Sequence, residues 1–163
     1  MTRKYEFTGE THPLHPNLKR IRRLSDGLVG GWIEGEENLS HEGDCFVSGN
    51  ALVFGNALVF GNAHVSDNAH VSGNALVFGN ARVCGIADVS VIPKVANRSD
   101  DFTFTLFPCS DGVWRLTAGC RYFTMEEAYA HWTATRAGTP LGEETLDILD
   151  LFAKHIEREK DNT

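Results

Sequence analysis

A six-residue period dominates the middle of this chain and narrows what it can become. From Cys45 the sequence reads CFVSGN, ALVFGN, ALVFGN, AHVSDN, AHVSGN, ALVFGN and ARVCGI, followed by Ala87-Asp88-Val89-Ser90. Valine returns at positions 47, 53, 59, 65, 71, 77, 83 and 89, and alanine at 51, 57, 63, 69, 75, 81 and 87. Within each unit Ala-x-Val-x alternates, so Ala and Val share one side of a short strand and the x positions share the other. Gly-Asn, replaced once by Asp67-Asn68, then turns the chain, because these residues tolerate left-handed backbone angles. Two-residue turns after such short strands cannot build hairpins with long registered strands. They build a coil that bends by about 120° per unit, with three units to a triangular turn and successive turns stacked about 4.8 Å apart. Val and Ala fill the narrow interior. A Gly/Asn linker would have no use for a β-branched valine at every sixth position.

The predicted fold is mainly β: a short left-handed parallel β-helix of about three coils, roughly 37–54, 55–72 and 73–90, within residues 37–92. The more degraded stretch Glu37-Asn38-Leu39-Ser40-His41-Glu42 keeps an asparagine and an apolar residue in phase with the array. Residues 1–36 read as an N-terminal β cap, with strands near Lys4–Phe7 and Leu18–Leu24 around a Pro/His loop at 12–16. Trp32 and Ile33 are expected to plug the open end of the coil core. Residues 93–163 read as a ββαα unit. Asp101–Phe107 alternates as a strand, and Gly112–Thr117 is its hairpin partner across Ser110-Asp111-Gly112. Thr124 with Glu127 opens a helix, and Thr139-Pro140 opens a second carrying Leu146, Leu149, Phe152 and Ile156 at helical spacing.

Residues 18 apart stack on one face of such a coil, which maps the exterior. One face carries Phe46 and Ser48, then His64 and Ser66, then Arg82 and Cys84. A second carries Leu52 and Phe54, then His70 and Ser72, then Asp88 and Ser90. The third carries Ser40 and Glu42, then Leu58 and Phe60, then Leu76 and Phe78. Four large apolar side chains in adjacent layers point to an oligomer or partner interface, which Leu52 and Phe54 would extend around a corner; a homotrimer is favoured. The polar outward groups His64, Ser66, His70, Ser72 and Arg82 form the candidate ligand-binding set. Either histidine could in principle serve an acyltransferase as base or bind metal at a subunit interface. One unit apart, they fall on different faces, so one chain cannot direct both at one metal. The array also lacks an inserted loop to wrap a cofactor. No catalytic residue, metal site or cofactor is therefore assigned.

Composition bounds the partners. Formal net charge is −7 and the sequence pI about 5.4, so the electrostatic footprint of a nucleic-acid binder is missing. The single basic run, Lys19, Arg20, Arg22 and Arg23, is too short to offset that. No apolar run approaches the roughly 20 residues a membrane span needs. Met1–Glu6 lacks the apolar core of a signal peptide, so a cytoplasmic location is expected. Cys45, Cys84, Cys109 and Cys120 show no CxxC spacing and read as four reduced thiols.

The passages Lys4-Tyr5-Glu6-Phe7-Thr8, Gly30-Gly31-Trp32-Ile33-Glu34, Glu42-Gly43-Asp44-Cys45, the GNAxV array and Thr117-Ala118-Gly119-Cys120-Arg121 are notable together. On them the chain resembles a family of small phage and prophage hexapeptide-repeat proteins, commonly labelled polymer-forming or transferase-like. The resemblance spans nearly the whole chain and is most specific around Trp32. It implies a phage-encoded accessory protein with a β-helix fold, and it transfers no catalytic residue. The leading expectation is a non-enzymatic protein in the host cytoplasm that oligomerises through the β-helix and binds a host protein, inhibiting a host defence system. One alternative is a binder that sequesters a small nucleotide signal between subunits. Another is an acyltransferase-like enzyme.

Overall fold

The computed structural model describes residues 2–162. Met1 and Thr163, the outermost residues of the expected cap and C-terminal unit, lie outside the described residues. At the centre is a β-solenoid of three turns built from two-residue strands that recur every six residues. These are β4 (Phe46–Val47), β5 (Leu52–Val53), β6 (Leu58–Val59), β7 (His64–Val65), β8 (His70–Val71), β9 (Leu76–Val77), β10 (Arg82–Val83) and β11 (Asp88–Val89). The 18-residue stacking is realised: Phe46, His64 and Arg82 align in parallel register, as do Leu52, His70 and Asp88, and Leu58 with Leu76. Every inward valine from Val47 to Val89 is fully buried. At about 1.5–3 kcal/mol for each buried aliphatic side chain, this narrow column is the main stabilising term of the solenoid.

The corners follow from residue chemistry. Gly61 turns at φ +69°, and a Cβ there would come within 3.0 Å of the Gly79 backbone nitrogen in the next coil. Asp67 takes the same left-handed turn at φ 59° and repays it by accepting the Gly85 N–H on its carboxylate at 3.1 Å. The following asparagines form ladders up the edges, Asn50 to Asn68, Asn56 to Asn74 and Asn62 to Asn80, at 3.2–3.4 Å.

The cap is a three-stranded antiparallel sheet, β1 (Tyr5–Thr11), β2 (Lys19–Arg23) and β3 (Val29–Ile33). Its last strand pairs in parallel with β5, Trp32 opposite Leu52 and Ile33 opposite Val53, so cap and coil share one six-stranded sheet. Alternation along β3 splits the expected plug. Ile33 points inward over Val53, with Tyr5 and Ile21 closing the core above it, and the Tyr5 hydroxyl donates to the Leu39 carbonyl at 2.7 Å. Trp32 points outward and packs on Leu18 and Leu52 instead. The close approach needs glycine: a Cβ on Gly30 or Gly31 would lie 2.6 Å from the Val47 carbonyl oxygen or 2.7 Å from that of Ala51.

The first turn departs from the uniform register. Leu39, not an outward neighbour, bridges Val59 and fills an inward valine position, 20 residues earlier rather than 18. Asn38 therefore aligns beside Leu58, fully buried, and its amide donates to the Gly55 and Ala57 carbonyls while its oxygen accepts the Gly35 N–H. Ser40 likewise aligns with Phe60 rather than Leu58, and Ser40 and Glu42 line a hollow beside Leu58 and Phe60 instead of stacking 18 residues below them. The two extra residues are taken up in the loop before Cys45.

The C-terminal unit has four strands rather than two: β12 (Lys94–Asn97), β13 (Thr103–Phe107), β14 (Arg115–Ala118) and β15 (Arg121–Thr124), an antiparallel meander. The helices α1 (Met125–Arg136) and α2 (Pro140–Asp161) cover one face. Thr124 accepts the Glu127 N–H and Thr139 the Gly142 N–H, with Pro140 at the first helical turn. Alternation in β13 divides its labour. Phe104 and Leu106 face Trp132, Leu149 and Phe152, whereas Phe107 enters the solenoid core together with Cys109. Thr105 accepts the Arg82 N–H and Thr117 donates to the Arg82 carbonyl, satisfying the last coil's edge. This sheet is thus the solenoid's second lid. Among the described residues no helix is long and apolar enough to cross a membrane.

Candidate functional site

The two lids leave the three coil faces unequal. On the first face Phe46 is buried, with the Arg23 guanidinium 5.0 Å from its ring centroid. His64 and Arg82 follow it in register, with Ser66 beside them half-buried. Burial, and next the charge of Arg82, lower the His64 pKa from its ordinary value.

On the second face the expected interface residue Leu52 is buried inside the chain under Leu18 and Trp32, leaving it no free surface for a partner. Its neighbour Phe54 is half-buried and forms a wall of a cleft of about 240 Å³. Leu18, Leu52 and Phe54 give that cleft its apolar side, and His15, Asn17, Glu34 and His70 give it polar groups. His70 is exposed on β8, opposite Leu52, while His15 and Asn17 come from the loop between β1 and β2. The Glu34 carboxylate also accepts the Gly55 N–H at 3.3 Å. Nearby His12 stacks edge-on to Trp32 at 4.8 Å; burial first, then the charges of His15, Arg20 and His70, lower its pKa. Such a cleft suits a small polar molecule with an apolar edge.

The five polar residues singled out from sequence are therefore not one site. His64, Ser66 and Arg82 share the first face; His70 and Ser72 share the second. His15, Asn17, Leu18 and Glu34 escaped sequence reasoning because their meeting with His70 depends on the parallel pairing of β3 with β5. The histidine-bearing loop bounded by Pro13 and Pro16 was the available signal. Among the described residues no three His, Cys, Asp or Glu side chains are grouped to hold a metal ion.

The third face is different. Leu58, Phe60 and Leu76 are half-buried and Phe78 is exposed, at 42 % of its possible area. The rings of Phe60 and Phe78 stack face to face with centroids 5.1 Å apart and planes within 11°. The lid strands bond elsewhere, β3 along β5 and the C-terminal sheet at Arg82 and Asp88, while Glu36, Ser40, His41 and Glu42 line a hollow beside Leu58 and Phe60. At one margin His41 stacks on Tyr5 at 4.1 Å and accepts the Lys4 N–H.

Comparison with known families supports the architecture. A family model described as YdcK Beta solenoid repeat matches residues 69–85, the stretch from Ala69 through the turn at Gly85. Comparisons with curated proteins and with solved structures give no match. The chain carries a β-solenoid repeat.

Proposed function

We propose that this chain is a non-enzymatic binding protein that self-associates through the third face of its solenoid, as a homotrimer, and in that form engages a protein partner. The observation that carries the reading is the stacked Phe60–Phe78 pair with Leu58 and Leu76, left open although both ends of the solenoid are lidded. A flat, regular coil face with two aromatic rings in successive layers buries apolar area against a copy of itself at little conformational cost, because the coil holds its side chains rigidly. Parallel prisms that turn this face toward a three-fold axis bring each copy against two neighbours through heterologous contacts, which close at three. The resemblance to phage-type repeat proteins supports a phage accessory role, with a host protein as the partner and a host defence system as the process affected.

Size-exclusion chromatography with light scattering tests the reading. The native chain is expected to run as an oligomer, and Phe60→Ser with Phe78→Ser as a folded monomer. An unchanged mass for the double variant would count against this face.

The cleft by His70 supports a second reading, a small-ligand binder, because it combines an apolar wall with two imidazoles, an amide and a carboxylate. Nuclear magnetic resonance titration with a nucleotide panel is expected to shift the His15, Asn17 and His70 signals, and a panel that leaves all three unmoved removes this cleft.

A further inference from the structure

In a chain of formal net charge −7, guanidinium groups readily find carboxylates. Arg3 meets Glu36, Arg22 meets Glu6, Arg23 meets Asp26, Arg98 meets Asp100 and Arg115 meets Asp111, all at 2.6–2.9 Å. Among the described residues Arg82, Arg121, Arg136 and Arg158 have no such partner, and two of these, Arg121 and Arg136, are brought together. Both are exposed, and both line one cleft of about 550 Å³ on the C-terminal unit.

The fold brings them together from separate elements. Arg121 opens β15 directly after the two-residue turn Gly119-Cys120, with Gly119 at φ +61°. Arg136 is the last residue of α1, where a cation is already favoured by the helix dipole. No such local reason applies to Arg121. Between them His131 and Thr135 contribute polar groups, and Phe102 and Trp132 form an apolar floor. Arg98 also lines the cleft but is largely buried, neutralised by two bonds from its guanidinium to Asp100 and stacked 4.8 Å from the Phe102 ring. No carboxylate lines the cleft. Burial, followed by the charges of Arg121 and Arg136, holds the His131 pKa below its ordinary value.

We propose that this cleft binds an organic phosphate, its phosphate held between Arg121 and Arg136 and its flat apolar body against Phe102 and Trp132. Guanidinium forks match phosphate oxygens in pairs, and such charge-assisted bonds are the strongest hydrogen bonds available to a surface site. The space exceeds what a bare phosphate fills, and its floor is apolar, so an ester with a planar organic portion fits better than the free ion. The site is independent of the solenoid face and of the cleft by His70.

Nuclear magnetic resonance of the labelled full-length chain tests this with three probes: adenosine 5′-monophosphate, adenosine and inorganic phosphate. The monophosphate is expected to shift the Gly119, Cys120 and Arg121 amides and to raise the His131 pKa, since a bound dianion favours the imidazolium. Arg121→Gln and Arg136→Gln are each expected to weaken binding by about tenfold or more, as loss of one charge-assisted contact implies. Arg158→Gln, elsewhere on α2, should leave it unchanged. Both variants alter exposed side chains, and an unchanged amide spectrum verifies their fold. Adenosine binding as tightly as the monophosphate, or inorganic phosphate doing so, would overturn the proposal. So would the absence of any shift at millimolar monophosphate, or full affinity in both variants.

Discussion

The molecule has two cores that are built on opposite plans. The solenoid core is a column of Val and Ala in which each side chain meets its own equivalent one coil away. The core of the C-terminal unit is an irregular cluster, with Phe104 against Trp132, Trp132 against Phe123, and Leu149 and Phe152 from α2. In the first, the large rings of Tyr5 and Phe107 only close the ends, and stability comes from the repetition of small buried side chains and of backbone bonds between coils. In the second, a few aromatic rings carry much of the burial. The difference extends to electrostatics. Arg98–Asp100 and Arg115–Asp111 belong to the C-terminal unit and Arg23–Asp26 to the cap, whereas the coils rely on asparagine ladders.

Substitutions that strike one plan and spare the other test the contrast. Val71→Asp puts a carboxylate in the middle coil, where Val71 is fully buried between Val53 and Val89, and is expected to cost more than about 4 kcal/mol. Hydrogen exchange should show the coil amides losing protection while α1 and α2 keep theirs. Simultaneous loss in both would mean that the two cores fold as one. The reciprocal change, Trp132→Ala, is expected to cost about 3–5 kcal/mol by chemical denaturation and to deprotect the helices but not β5 to β9. Thr124→Ala removes the oxygen that accepts the Glu127 N–H and should cost about 1 kcal/mol, confined to α1.

Acid gives the smallest effect, and it falls on the cap and the C-terminal unit. The bonds from Arg23 and Arg98 hold the Asp26 and Asp100 carboxyls down to about 2, and Arg115 lowers that of Asp111. A carboxyl whose folded pKa lies below its unfolded value stabilises fully above the unfolded value, near 3.9, and loses that contribution as pH falls through the folded one. All three groups are exposed, so the loss is small. Circular dichroism melts between pH 5 and pH 2 are expected to show the helices weakening before the coils. Coils that weaken first would break the contrast.

The same contrast explains what was legible in the sequence. The registers of β4 to β11 follow from valine spacing alone, because each coil repeats one local solution and its partner lies one period away. Where the period lapses, so does legibility. Leu39 sits 20 residues before Val59 because the loop after it is two residues longer, which a uniform 18-residue rule could not anticipate. β12 has little apolar patterning, its residues being exposed apart from the half-buried Ala96. β15 follows a tight turn in a segment whose capping residues signal a helix. The buried fate of Leu52 depended on Leu18 and Trp32 arriving from the cap, a non-local contact. The third face could be mapped because its four residues are set by the repeat; the cleft by His70 could not, because half of its lining comes from outside it.

Native mass spectrometry of the gently purified chain addresses the association of the solenoid face most directly. The expected result is a species of three copies of the 18.0 kDa chain, which Phe60→Ser with Phe78→Ser reduces to one copy of unchanged fold. A native chain that remains a single copy across the concentrations sampled would contradict self-association and leave the Phe60–Phe78 stack as an ordinary solvent-facing pair.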